Sequence, residues 1–298
     1  MRRWALLYNP IAGGFSETRL EAVRSALAEG GVETVPHPTT GPGHAREFGR
    51  TVIGGEQGAG VEQGSGVERV AVFGGDGTLN EAAEGLLGRN IPLAFIPGGS
   101  ANSMAGELGL PRQPAAAARA LLHSRPVPIR PGRVDDRHFL LMAGFGFDGL
   151  AIHLISNRVK NRLGSLGYIL TGFRCLAHRH APLRVETPSG TRRGIWAVAS
   201  RSRRYAGVLT IHPRAGLTSP ALGLTAVNGW MLVPFGIGRL LLRLPVQGPG
   251  LTLEEHRQFS VISDQPVHAQ LDGDYYRQGT RFEVGISDQE LLFCFPDS

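Results

Sequence analysis

Val70-Ala-Val-Phe73 is an uninterrupted apolar run, rich in β-branched residues, that ends in Gly74-Gly-Asp-Gly77 and continues as Thr78-Leu-Asn-Glu81. An apolar run without alternation marks a strand buried on both faces, as in a parallel sheet. Thr78-Leu-Asn-Glu81 has the spacing of a capping box, which predicts a helix opening there. A strand that passes through glycines into a helix start leaves amide N–H groups unpaired at the positive end of the helix dipole, and glycine lets an anion approach the backbone. Asp76 narrows the reading. A carboxylate among those amides would repel a bare phosphate, so the anion expected is a phosphate carrying Mg²⁺, which binds through one or two carboxylates and keeps several waters. On these residues alone two readings stay open: a nucleotide-triphosphate loop, or an ordinary Gly-Asp-Gly turn with Glu81 only capping a helix.

Composition limits the alternatives. With 298 residues, 42% of them apolar, the chain is long enough for two domains or one large one and has material for real cores. Its net charge of +6 is almost entirely arginine, because Lys160 is the only lysine. That excludes the P-loop design, which needs a lysine reaching the phosphates from its own glycine-rich turn. Cys175 and Cys294 make neither a metal-ligand spacing nor a disulfide framework, which fits a reducing cytoplasm, and the histidines show no ligand spacing. The apolar run near the start is too short for a signal peptide, and none approaches the ~18 residues of a membrane span. Any membrane contact is expected to be peripheral, at the cytoplasmic (inner) face.

Along the first half, strands and helices alternate. Trp4 to Tyr8 reads as a buried strand followed by the turn Asn9-Pro-Ile-Ala-Gly-Gly14, and a helix with Ser16 as N-cap and Leu20, Val23 and Leu27 inward stops at Gly30-Gly31. Val32 to Val35 is a second strand, with Ala45, Phe48 and Val52 on the inner face of the next helix. The repetitive segment Gly54 to Gly66 cannot bury enough to offset its ordering entropy and reads as a mobile surface loop. Ile91 to Ile96 leads into Pro97-Gly-Gly-Ser-Ala-Asn102, a third strand-to-turn-to-helix junction, and Pro114 to His123 is a closing helix. All three turns are expected at the carboxyl ends of parallel strands, where open α/β sheets bind ligands.

From about Val127 short strands and tight turns take over. Hairpins are predicted at Arg133 to Phe139 and from Leu183 through Gly190 to Ser200. Further strands are expected at Val208 to Ile211, Leu222 to Val227, Leu251 to Glu255, Phe259 to Ile262, Val267 to Leu271 and Phe282 to Val284, with helical passages near 149–177 and 234–244. Gly144-Phe-Gly-Phe-Asp-Gly149 fits G-x-G-x-x-G, but no acid follows from Leu150 to Arg184 to hold a ribose, so a dinucleotide site is rejected. That acid-free stretch carries Arg158, Lys160, Arg162, Arg174, Arg179 and Arg184 and could face anionic lipid or be a solvated basic face. The apolar window 230–244, with Arg239 and Arg243, could dip into a membrane interface, line an acyl pocket or pack in a core. The fold expected is α/β: an N-terminal Rossmann-like, doubly wound parallel-sheet domain (1–127), then a mostly antiparallel β-sandwich domain (128–298), with the cleft between them as the natural substrate site.

Asn9 to Gly13, Thr39 to Ala45, Gly74 to Glu81, Pro97 to Asn102, Gly144 to Asp148 and Leu271-Asp-Gly-Asp274, in that order, resemble the diacylglycerol kinase catalytic-domain superfamily. It includes bacterial lipid kinases, sphingosine kinases and ceramide kinases, with NAD kinases as more distant relatives. The resemblance implies a nucleotide site in the interdomain cleft, with ATP held by Asn9, Thr39, Gly74, Gly75, Asp76, Gly77, Thr78, Asn80, Glu81, Gly99, Ser100 and Asn102. It implies Asp76 close to Mg²⁺ and engaged in catalysis, Asp274 as the base that takes the acceptor hydroxyl's proton, and Asp148 on the lipid head group. Hairpin turn chemistry is the alternative use of Asp272 and Asp274. Departures are Gly14, Ser103 and Arg130, where relatives carry a cation, an aspartate and an aspartate. Ser219-Pro220 stands where relatives with a structural Mg²⁺ site have Asp-Gly, and that ion is expected to be absent. The function implied is ATP-dependent phosphorylation of a diacylglycerol-like or sphingoid-like lipid at an anionic membrane surface, with no nucleic-acid partner and a homodimer left open. A soluble-acceptor kinase of the NAD-kinase type and a non-catalytic nucleotide- or lipid-binding protein are the alternatives.

Overall fold

The computed structural model describes residues 2–51, 66–154, 180–205, 209–229 and 250–297, with Cys175, His178 and Gly238. Val52, the repetitive segment before Gly66, Arg158, Lys160, Arg162, Arg174, Arg179, Val208 and the window 230–244 apart from Gly238 lie outside the described residues. Arg184, the remaining member of the basic stretch, is ion-paired with Asp264 at 2.9 Å. The chain divides into two compact units, Met1–Ile129 with Gln289–Ser298, and Arg130–Asp288.

The first unit runs β1 (Arg2–Tyr8), α1 (Glu17–Glu29), β2 (Val32–Pro38), α2 (His44–Thr51), β3 (Val67–Gly74), α3 (Asp76–Leu86), β4 (Leu93–Pro97), α4 (Ser103–Leu108), α5 (Pro114–Leu121) and β5 (Arg125–Ile129). The strand Leu291–Phe295, β18 in chain order, completes it, and the sheet order is β2-β1-β3-β4-β18-β5. The sequence pattern puts these last residues with the second half; the first sheet takes them because β18 lies parallel to β4 and antiparallel to β5. Trp4, Leu6, Leu7, Phe73 and Phe95 are at most 1% exposed, the two-sided burial that unalternated apolar runs predict. In α1, the Ser16 side chain accepts the Arg19 amide at 3.2 Å and Leu20, Val23 and Leu27 face inward, as the spacing predicts. The predicted capping box is not formed. α3 opens earlier, at Asp76, with Gly75 in extended conformation at its N-cap and no side-chain cap. Thr78 and Glu81 are inside the helix, and Glu81 reaches out to accept the Gly43 amide at 3.0 Å.

α2 and α3 meet through glycines. A Cβ on Gly85 would overlap the Arg46 carbonyl oxygen and lie 2.9 Å from Gly49 Cα, so the helix backbones touch. The Arg46–Glu84 ion pair, at 2.8 Å, lies at the same contact.

The second unit continues with β6 (Gly132–Val134), β7 (Arg137–Phe139), β8 (Met142–Gly146), α6 (Phe147–Leu154), β9 (Leu183–Thr187), β10 (Gly190–Gly194), β11 (Trp196–Ser200), β12 (Arg204–Tyr205), β13 (Leu209–Thr210), β14 (Leu222–Val227), β15 (Leu251–His256), β16 (Gln258–Leu271) and β17 (Asp274–Ile286). Apart from the β12–β13 pair, all its described strands belong to one sheet, whose main path is β15-β14-β11-β8-β16-β17-β6-β7. The long β16 also pairs with β9 through Ser260–Ser263, and β9 with β10. The apolar pattern predicts two strands where β16 is one; the register shift between Ile262 and Val267 is the irregularity that interrupts the alternation. Residues of β6 through β9, β11, β14, β16 and β17, among them Phe139, Phe145, Leu183, Val185, Leu224, Phe259 and Phe282, form one apolar cluster. A single sheet whose strands share one core must curl around it, so the expected sandwich is built here from one hydrogen-bonded sheet.

Arg201 is 1% exposed and donates to the carbonyls of Leu217, Ser219 (2.7 Å) and Ala221 (3.2 Å). Burial pushes its guanidinium pKa down to about 10. The loop carrying Ser219-Pro220 is therefore closed around an internal cation, with carbonyl dipoles in place of a carboxylate partner. Arg201→Met, which orphans these carbonyls, should cost about 3 kcal/mol or more in urea unfolding. Gly85→Ala should cost about 1–3 kcal/mol in the same measurement by pushing α2 off α3.

Candidate active site

The register of the parallel strands levels their exits. Tyr8 lies opposite Phe73, and Gly74 opposite Pro97, so the turns after β1, β3 and β4 begin side by side. The order β2-β1-β3 reverses direction at β1, and this switch point is where open α/β sheets leave a crevice. Glycine lets the turns touch. The Gly14 amide donates to the Gly98 carbonyl at 3.0 Å and the Gly98 amide to the Gly74 carbonyl at 2.7 Å. A Cβ on Gly14 would be 2.7 Å from the Gly98 oxygen, and one on Gly99 2.6 Å from Gly75 Cα. This contact gives a local reason for glycine at position 14, where the resemblance leads one to expect a cation.

Asn9 and Thr78 tie the first two turns together, Asn9 Nδ2 donating to Thr78 Oγ1 at 3.1 Å while Asn9 Oδ1 accepts the Ile11 amide. The Thr39 amide donates to the Tyr8 carbonyl at 2.8 Å, which brings the exit of β2 to the same edge. Asn102, in left-handed conformation at the start of α4, turns its side chain back on Gly99: Gly99 N–H donates to Oδ1 (2.8 Å) and Nδ2 to the Gly99 carbonyl (2.7 Å). Asp76 takes over the capping of α4. Its carboxylate accepts the amides of Ser103 (2.9 Å) and Met104 (3.1 Å). Ser103 thus enters through its backbone. Gly75 and Asn80 are half-buried and Gly77 and Ser100 exposed, so the turns present backbone and one hydroxyl outward.

In the second unit, Asp272 (φ 50°) and Gly273 (φ 85°) form the two-residue turn between β16 and β17, with Leu271 opposite Asp274. Asp272 is the pin of that turn. Its carboxylate accepts the amides of Leu140 (2.7 Å), Leu141 (2.8 Å) and Met142 (2.8 Å). Asp274 follows at the start of β17 and is exposed. Asp148, expected on a lipid head group, is 1% exposed. It accepts from the Tyr205 hydroxyl and, at 2.7 Å, from Gln270 Nε2. Gln270 Oε1 in turn accepts the Gly273 amide at 2.7 Å, so the buried carboxyl is connected through Gln270 to the turn that carries Asp274. Burial raises the Asp148 pKa, opposed by the hydrogen bonds from Tyr205 and Gln270. Gly144 must lack a side chain because a Cβ there would overlap Asp148 Oδ2. Tyr205 and Gln270 carry no local sequence signal, being 57 and 122 residues from Asp148.

Residues 3–134 match the family model described as "Diacylglycerol kinase catalytic domain". A "Diacylglycerol kinase" of Bacillus subtilis (strain 168) is 31% identical over 59% of this chain and 56% of its own length. The chain thus matches little more than half of that relative. A "Probable lipid kinase YegS-like" of Klebsiella pneumoniae (strain 342) is 28% identical over 70% of this chain and 71% of its own length. A crystal structure of a diacylglycerol kinase from Bacillus anthracis str. Sterne superposes with a TM-score of 0.80 at 20% identity, covering 99% of this chain and 97% of that one, which shows a shared fold. Over residues 3–134, the chain is similar to diacylglycerol kinase catalytic domains.

Proposed function

We propose that this protein is an ATP-dependent lipid kinase, moving the γ-phosphoryl group to a hydroxyl of a diacylglycerol-like or sphingoid-like lipid at an anionic membrane surface. The observation that carries the reading is the level set of glycine turns around the start of α3, a helix of 11 residues whose N-cap is a glycine with no side chain to offer. Helix-start amides beside glycines suit a polyphosphate, because they offer N–H donors that a capping side chain would otherwise occupy. Mg²⁺ would arrive with the nucleotide and offset phosphate charge. Asp76 fits that ion by its chemistry: it is a carboxylate held at the glycine turns by the Ser103 and Met104 amides.

The chain's own residues then have separable tasks. Asn9, Thr78 and Asn102 hold the turns in place, and exposed Ser100 and the Gly77 backbone face the phosphates. Asp274 takes the proton of the acceptor hydroxyl as its oxygen attacks the γ-phosphorus and the bond to the ADP oxygen breaks. Asp272 and Gln270 set the position of that acid, and Asp148, sealed from solvent, acts through Gln270.

Incubation with labelled ATP, Mg²⁺ and mixed micelles should place label in the organic phase; label on NAD, or nucleotide binding without transfer, would reject the reading. Asp274→Asn should abolish transfer while ATP affinity is kept. Gln270→Leu should lower kcat by about tenfold or more with ATP affinity unchanged, since a misplaced base costs rate and not nucleotide binding. Asp148 gives a pH signature. Its native pKa lies above the ordinary 3.8, so over the interval between the two the native state keeps a proton that the unfolded chain has released. Its contribution to stability therefore falls as pH rises from the ordinary value through the native one and is level above it. Asp148→Asn should remove that slope from urea midpoints measured across the window.

A further inference from the structure

A cavity of about 340 Å³ lies on the first unit between the start of α1, the turn after β4 and the start of α5. Its lining includes Arg19, Arg112, Gln113, Ala115, Gly98 and Gly99, and contains no acidic residue among the described residues. Two arginines therefore line one small concavity, with no carboxylate among its described lining residues. Arg19 is fixed there by donating Nη1 to the Gly14 carbonyl at 2.6 Å, the same glycine that touches Gly98. Gln113 spends its Oε1 on the Ala116 amide at 2.7 Å, which leaves its Nε2 as a donor. The wall thus offers arginine side chains and the Gln113 Nε2 amide, and a planar guanidinium pairs with phosphate oxygens through two parallel hydrogen bonds.

The geometry points to an oxyanion site in this cavity, one that takes a phosphoryl group through Arg19 and Arg112. The group could belong to a free phosphate or to the tail of a nucleotide, and the chemistry is the same. Only the nucleotide source rests on the proposed kinase activity; the free ion needs neither Asp274 nor a lipid.

Calorimetric titration of the full chain with inorganic phosphate and, separately, with ATP tests it. Arg19→Gln with Arg112→Gln should weaken at least one of the two ligands by about tenfold or more, and added salt should weaken it further. Loss confined to inorganic phosphate assigns the site to the free ion; loss for ATP assigns it to the nucleotide tail. Wild-type affinity for both ligands in the double variant, or no binding of either to the wild type, overturns the site. Phosphate binding without ATP binding would leave the cavity's role intact and defeat the kinase reading. Arg112 makes no hydrogen bond to a described residue, so Arg112→Gln alone carries the same comparison if the double variant fails to fold.

Discussion

Backbone-to-backbone contact between strand exits is the constraint on which the first unit depends. Gly14, Gly98 and Gly99 pack where a Cβ would intrude, and the hydrogen bonds from Gly14 to Gly98 to Gly74 run across three different turns. Level strand ends make this contact possible, and the contact in turn sets the start of α3 beside the other two turns. A side chain at any of these three positions would separate the turns before it altered any chemistry.

Charge is handled in a consistent way across both units. Asp76 is met by two amides, Asp272 by three and Arg201 by three carbonyls, so each is answered by backbone dipoles. Such an arrangement fixes loop geometry, since a peptide group cannot rotate away as a long side chain can. It also explains why these residues work as joints: Asp76 links α3 to α4, and Asp272 links the β16–β17 turn to the entry of β8.

The alternation of buried runs and glycine turns makes the first unit legible, because two-sided burial and tight strand exits are local patterns. The start of α3 is deceptive: Thr78 and Glu81 have cap spacing, yet Gly75 lets the helix begin earlier and Glu81 finds the Gly43 amide. β18 cannot be assigned to its sheet from spacing because its partners, Leu93 and Ile129, are far away in sequence. Of the acid cluster, Asp148, Asp272 and Asp274 can be named from sequence, but not that Asp148 is sealed by Tyr205 and Gln270. Such pairings follow from the curl of a sheet, and no spacing rule records them.

The place of β18 bears on how the molecule is made. β5 reaches its sheet only through β18, and β18 follows the whole of the second unit in the chain. During synthesis the edge of β4 must therefore wait, unpaired on that side, while more than half of the polypeptide emerges, and a chaperone or a transient cover for that edge would matter most in this interval.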